Sequence, residues 1–194
     1  NPDISVIDVY DIDQFIPAYY HPELERYKDI HKGKRCFLIG NGPSLRVEDL
    51  DKLHEHGDIC FGLNKIYLIY DRTKWRPTYL SLTDPNMIIS CSEEIDKNYT
   101  AMVEQVFYSD SYHLSECGRK GGRQYVHMKY EEYYPNFPEF SGDVTRGVYL
   151  GNTSAYDLSI QLAAYMGFSK MYMYGFDHSF TSNVTDVENH FDVN

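Results

Sequence analysis

Short runs of consecutive apolar residues alternate along the chain with stretches of helical periodicity, and glycine, proline or asparagine punctuates each boundary. Cys36–Ile39 is a continuous apolar run of the kind that forms a strand buried on both faces, and it leads at once into Gly40-Asn41-Gly42-Pro43-Ser44. Beyond it Val47, Leu50 and Leu53, separated by Glu48, Asp49, Asp51 and Lys52, have helical spacing, and Gly57 stands where a C-cap glycine belongs. The pattern predicts a second strand over Asp58–Leu63, a turn at Asn64, a helix over Lys65–Tyr70 and a third strand over Thr78–Leu82, stopped by Asp84-Pro85. Toward the end of the chain, Thr153 or Ser154 caps a helix whose apolar positions Leu158, Leu162, Ala163, Tyr165 and Met166 lead to Gly167. Met171–Tyr174 then reads as a strand ended by Gly175-Phe176-Asp177.

Strands and helices in this alternation predict an α/β, Rossmann-like fold: a mostly parallel sheet with helices on both faces and an irregular lid insertion. Residues 1–32 read as an N-terminal arm with one short helix near Glu23–Ile30, and 33–194 as a single domain. The segment around 87–143 is the least periodic. A helix at Cys91–Tyr99, a strand at Gln105–Tyr108 and a loop at Gly118–Gly122 are all that its pattern yields, and its aromatic, proline and glycine content points to segments folding over a site.

Composition narrows the possible partners. The chain of 194 residues is 42% hydrophobic and 24% charged, enough apolar material for a real core. With 18 Lys+Arg against 29 Asp+Glu the net charge is −11, a sign that repels a nucleic-acid backbone, and the one dense basic cluster is Arg119, Lys120 and Arg123. Cys36, Cys60, Cys91 and Cys117 form no C-x-x-C pair and read as reduced thiols. No apolar run approaches the roughly 18–20 residues of a membrane span, and the acidic start lacks a signal-peptide pattern. The sequons at Asn98, Asn152 and Asn183 then read as chance matches. Nineteen tyrosines suit a carbohydrate or nucleotide cleft, although tyrosine also simply caps the edge of a core.

The strongest chemical signal is the loop Gly40, Asn41, Gly42, Pro43, Ser44 directly after a buried strand. In an open parallel sheet the ligand crevice lies at the carboxyl ends of the strands, where a glycine loop lets backbone N–H groups approach a phosphate. It is neither a full dinucleotide fingerprint, since Leu45 stands at the third glycine, nor a P-loop, so a nucleotide site and an ordinary tight turn are both open readings. Asn64, Asp84 and Asp177 each end a different predicted strand and so fall on the same rim. Each is equally a residue type that caps the turn or helix after it. His178 and His190 flank a polar stretch past the last strand and have the side chain best matched to proton transfer near neutrality, or are exposed loop histidines. The pair Asp11 and Asp13 precedes the first core strand and is discounted as a metal motif.

Together, Lys32–Leu45, Phe61-Gly-Leu-Asn64, Trp75–Tyr79 with Thr83-Asp84, Thr153-Ser154 through Gly167 to Tyr174-Gly-Phe-Asp-His178, and Asn189-His-Phe191 resemble the MptE-like (6-hydroxymethylpterin diphosphokinase-like) domain family of bacterial polysaccharide loci. The same layout resembles the Campylobacter-type bacterial sialyltransferases, over roughly residues 32–85 and 150–191. The second resemblance implies a glycosyltransferase moving a nonulosonic acid from a CMP-activated donor to a surface-glycan acceptor, without a metal or other cofactor. Carried over residue by residue, Asn41, Gly42 and Ser44 would contact the nucleotide, Asn64 its ribose or phosphate region and Thr153-Ser154 the donor sugar or cytidine end. His190 would be the general base, with His178 beside the leaving phosphate. Two departures bear on this: Ser179 stands where those enzymes carry a tyrosine, and Asp84-Pro85 where they carry Asn-Pro. A carboxylate next to a phosphate supports the rival reading implied by the first family name, in which Asp84 and Asp177 hold Mg²⁺ for pyrophosphoryl transfer from ATP. A non-catalytic nucleotide-binding module is the third reading. The expected partners are a nucleotide sugar and a glycan, with no nucleic acid and no membrane span. The expected location is the cytoplasm, with attachment to the inner face of its membrane through sequence beyond residue 194 left open, as is the oligomeric state.

Overall fold

The computed structural model of the protein describes residues 20–110, 120–129, 140–151 and 153–177. Arg35–Ile39 (β1), Cys60–Leu63 (β2), Tyr79–Leu82 (β3), Gln105–Asp110 (β4), Gln124–Lys129 (β5), Val148–Tyr149 (β6) and Lys170–Tyr174 (β7) form one sheet in the order β6-β5-β4-β3-β2-β1-β7. Every neighbouring pair is parallel, with Phe37 opposite Cys60, Leu80 opposite Val106 and Phe37 opposite Tyr172. The short apolar runs make such strands because successive side chains turn to opposite faces and both faces are covered. Leu38, Phe61, Tyr79, Phe107 and Val126 enter one apolar cluster, whereas Ile39, Cys60, Leu80, Leu82, Val106 and Tyr108 enter the other.

The second cluster is roofed by Val47–His56 (α1), the 3-10 segment Asn64–Arg72 and Pro85–Asn98 (α2). Leu50 of α1 is fully buried against the sheet, a contact whose loss to alanine costs about 2–5 kcal/mol. Gly57 ends α1 in the left-handed region, φ 64°, its N–H bonded to the carbonyls of Leu53 and His54, as the C-cap pattern predicts. The opposite face is covered by the 3-10 turn Pro22–Tyr27 and by a π-helical segment, Ala155–Ile160, that runs into α3 (Gln161–Tyr165). This division follows from the topology. From β1 to β6 the chain steps across the sheet in one direction, and it then returns to the far side of β1, so the last helix packs on the other face if all crossovers keep the right-handed sense.

The Rossmann-like α/β architecture is therefore as the periodicity predicts, but its extent is larger. The described parts of 87–143 are in the main framework: most of α2, and β4 and β5 within the sheet, with turns and irregular stretches at 120–123 and 140–143. α2 starts at Pro85, well before Cys91. β5 and the two-residue β6 carry too short and too mixed a pattern to be read. Residues 20–32, read as part of an arm, belong to the core, with Leu24 fully buried, the His21 amide bonded to Thr145 O and the His31 amide to Met166 O.

Candidate functional site

β1 and β7 lie side by side, yet the chain leaves β1 toward β2 on one side and enters β7 on the other. Their carboxyl ends thus make a topological switch point, where open α/β sheets form their ligand crevice. The loop Gly40–Ser44 leaves β1 here and Gly175–Asp177 leaves β7. The two are locked together: Gly40 N donates to Tyr174 O at 2.8 Å, Gly42 N to Gly175 O at 2.8 Å and Ser44 N to Asp177 Oδ2 at 3.1 Å. A Cβ on Gly40 would stand 2.4 Å from Gly175 O, and one on Gly42 2.0 Å from Asp177 Oδ2. The glycines are therefore required by the neighbouring strand itself. This corrects the picture of a loop with its amides open to a phosphate, since those of Gly40, Gly42 and Ser44 are engaged within the protein.

Tyr174 completes the lock. Its hydroxyl accepts from Arg46 N at 3.0 Å and lies 3.0 Å from Ser44 O and 2.8 Å from Asp49 Oδ2. The Lys52 ammonium, the Tyr174 hydroxyl and the Arg46 guanidinium hold the Asp49 carboxyl well below the usual carboxylate range. Pro43 is exposed at the loop tip.

The adjacent rim is organised around Asn64, which follows β2 in a left-handed conformation, φ 48°, that asparagine tolerates better than most residues. Its Oδ1 accepts from Thr83 N at 3.0 Å and from the Thr83 hydroxyl at 3.3 Å, and its Nδ2 donates to Ser154 Oγ at 3.0 Å. One side chain thus ties the ends of β2 and β3 to the start of the last helix. Asn41 reaches the same neighbourhood, Nδ2 donating to Leu63 O at 3.0 Å, while its Oδ1 is buried with no partner. Thr153 caps the helix, its Oγ1 accepting from Tyr156 N. Behind it the fully buried Gln161 bonds Ser141 N, Tyr149 N, Tyr149 O and Tyr156 O, fixing the loop that delivers Thr153 and Ser154.

Asp84 takes the capping role: its Oδ1 accepts from Asn86 N and Met87 N at the start of α2. Asp84 and Asp177 are each turned to the backbone amides of a different element and do not make a shared cation site. Among the described residues no group of three or more His, Cys, Asp and Glu side chains is gathered to hold a metal ion. His178 and His190 lie outside the described residues, as do Asp11 and Asp13. Thr83, Tyr174, Gly175 and Gln161 were not among the sequence candidates. Thr83 and Gly175 carry one sequence signal, their position directly after an apolar run, whereas Tyr174 and Gln161, inside a strand and a helix, carry none. No helix among the described residues is long and apolar enough to cross a membrane. In comparisons with known proteins the chain matches no family model and no curated protein.

Proposed function

We propose that the crevice binds a nucleotide and that the protein is a glycosyltransferase of the sialyltransferase-like kind, taking its sugar from a CMP-activated donor. The observation that carries this reading is the row of Asp177, Asn41, Asn64 and Ser154 along the carboxyl ends of β7, β1, β2 and β3, beginning at the β1/β7 switch point and held by bonds that span those four strand ends and the start of a helix. With the amides of Gly40, Gly42 and Ser44 engaged, the loop offers a bound nucleotide the Ser44 hydroxyl and the Asp177 carboxylate, and the carboxylate accepts from a ribose diol and disfavours a phosphate. The phosphate then lies toward Asn64 and the first turn of the helix at Ser154, where the helix dipole favours an anion.

In the reaction, a hydroxyl oxygen of the acceptor bonds to the anomeric carbon as that carbon's bond to the phosphate oxygen breaks. The electron pair leaves with CMP, and His190 takes the hydroxyl proton. Diphosphokinase chemistry is the weaker reading, because Asp84 serves as a helix cap and Asp177 as the acceptor of a loop amide.

Thermal stabilisation by CMP, UDP and ATP, each with and without Mg²⁺, tests the assignment, since a ligand raises stability with the ratio of its concentration to its dissociation constant. Metal-independent preference for CMP is expected. Mg²⁺-dependent preference for ATP would overturn the transferase reading. His190→Ala is expected to lower turnover by roughly 10²–10⁴-fold with CMP binding retained.

A further inference from the structure

β7 closes one side of the sheet, and among the described residues no strand lies beyond it. Its backbone is directional: Tyr174 O accepts from Gly40 N, so the polar groups of Tyr174, and by two-residue alternation those of Tyr172 and Lys170, turn toward β1. Those of Met171 and Met173 turn to the open side. Exposed edges of soluble proteins are normally blunted by charge or proline, but the run Met171-Tyr172-Met173-Tyr174 has neither, and Tyr172 and Met173 are 44% and 51% exposed. Tyr172 is held ready on the sheet by stacking on Phe37, ring centroids 5.1 Å apart.

The two ends of this edge carry opposite charge. Exposed Lys34 and Lys170 mark the amino end, where Asp58 offsets Arg35 and Asp29 offsets Lys32. Glu48, Asp49 and Asp177 mark the carboxyl end, where Arg46 and Lys52 offset only Asp49. Such an edge is complementary to itself when reversed and repels itself when aligned.

We propose that β7 is an interface on which a second copy of the chain docks, edge to edge and antiparallel, about a two-fold axis at Tyr172. Met171 then faces the partner's Met173 and exchanges both N–H···O bonds with it, and the second such pair repeats this across the axis. Tyr172 faces the partner's Tyr172 in the closer, non-hydrogen-bonded position. The basic amino end of each copy lies against the acidic carboxyl end of the other, and the two sheets become continuous. A five-residue edge buries less than the roughly 1,600 Å² of a standard interface, so the dimer is concentration-dependent. The inference is independent of what the crevice binds.

Sedimentation over a concentration series at low and high salt tests it, together with hydrogen exchange at Met171 and Met173. Dimers that weaken with salt are expected, with both amides protected only where dimer is present. Lys170→Glu, at an exposed position, is expected to weaken association at least about tenfold at low salt. Met173→Pro, which removes the outward donor, is expected to give a monomer. Monomer at all concentrations would overturn the proposal, as would a dimer unaffected by both variants. Protection of both amides in a monomer would assign the edge to another segment of the chain and equally overturn it.

Discussion

Gly42→Ala separates a glycine kept for a ligand from one kept for the fold. The backbone at Gly42 is outside the left-handed region, so alanine meets no conformational obstacle and would by itself add about 0.4–1 kcal/mol by restricting the unfolded chain. The obstacle is space, because the new methyl would lie 2.0 Å from Asp177 Oδ2 and 2.8 Å from Gly175 O. The carboxylate can swing away, which forfeits its bond to Ser44 N, worth about 0.5–1.5 kcal/mol. The Gly175 carbonyl is backbone and must shift, an overpacking cost of about 1–3 kcal/mol. The net expectation is a loss of about 1–3 kcal/mol, or a melting temperature lower by roughly 3–10 °C for a chain of this size. Urea unfolding of wild type, Gly42→Ala, Asp177→Ala and the double variant measures it. The two substitutions remove one contact, so their coupling should reach about 1 kcal/mol. Gly42→Ala as stable as wild type, or strictly additive with Asp177→Ala, would refute the view that β7 imposes this glycine.

Asn64→Ala forfeits the bonds to Thr83 and Ser154 and places alanine at positive φ, so chemical denaturation should register a loss of about 2–4 kcal/mol, with Asn64→Gly milder because only the bonds are lost. Asp84→Asn retains a good N-cap and should leave stability and, on the transferase reading, CMP affinity nearly unchanged, as calorimetry would read. Burial holds the His31 imidazole below its ordinary value of 6.5, assisted by Lys34 and opposed by Glu104, and its Nε2 lies 2.6 Å from the Tyr79 hydroxyl. The unfolded chain therefore takes up this proton first: stability is complete above about 6.5 and declines as pH falls below it, and unfolding free energies measured against pH should lose that decline in His31→Gln. Burial pushes the thiols of Cys36 and Cys60 up to about 12, so under native conditions alkylation mapped by mass spectrometry should label Cys91 and spare both until the protein unfolds.

The sequence makes the architecture legible where one face of an element dominates its pattern. The Cys36–Ile39 run, the Val47-Leu50-Leu53 spacing and Gly57 each have one physical use, and each is found in it. β5 defeats the same reading because Gln124 is buried and polar, donating to Glu23 and accepting from Arg26, so that its strand does not look apolar. The rim residues Asn41, Asn64, Asp84 and Asp177 can be picked out because asparagine and aspartate stand at strand ends. Their division of labour cannot, since a cap and a ligand contact draw on the same side chains. That Asp84 turns to α2 while Asn64 bridges to Ser154 depends on contacts between residues far apart in the chain. The glycines of the Gly40–Ser44 loop are conspicuous for the same reason that they mislead: sequence displays the missing side chain but hides Gly175, the neighbour that demands it.

The strand that finishes the crevice is the last to be synthesised of those described. Until Lys170–Asp177 emerges, β1 is itself an unpaired edge, and the Gly40–Ser44 loop has neither Tyr174 nor Gly175 to bond. A nascent or prematurely terminated chain can assemble the succession from β1 to β6, whose contacts run between neighbours, but it presents an adhesive β1 border and has no crevice. The described sheet thus closes in one late, long-range step, so that chains truncated before β7 should aggregate and, on the proposed reading, should not bind nucleotide.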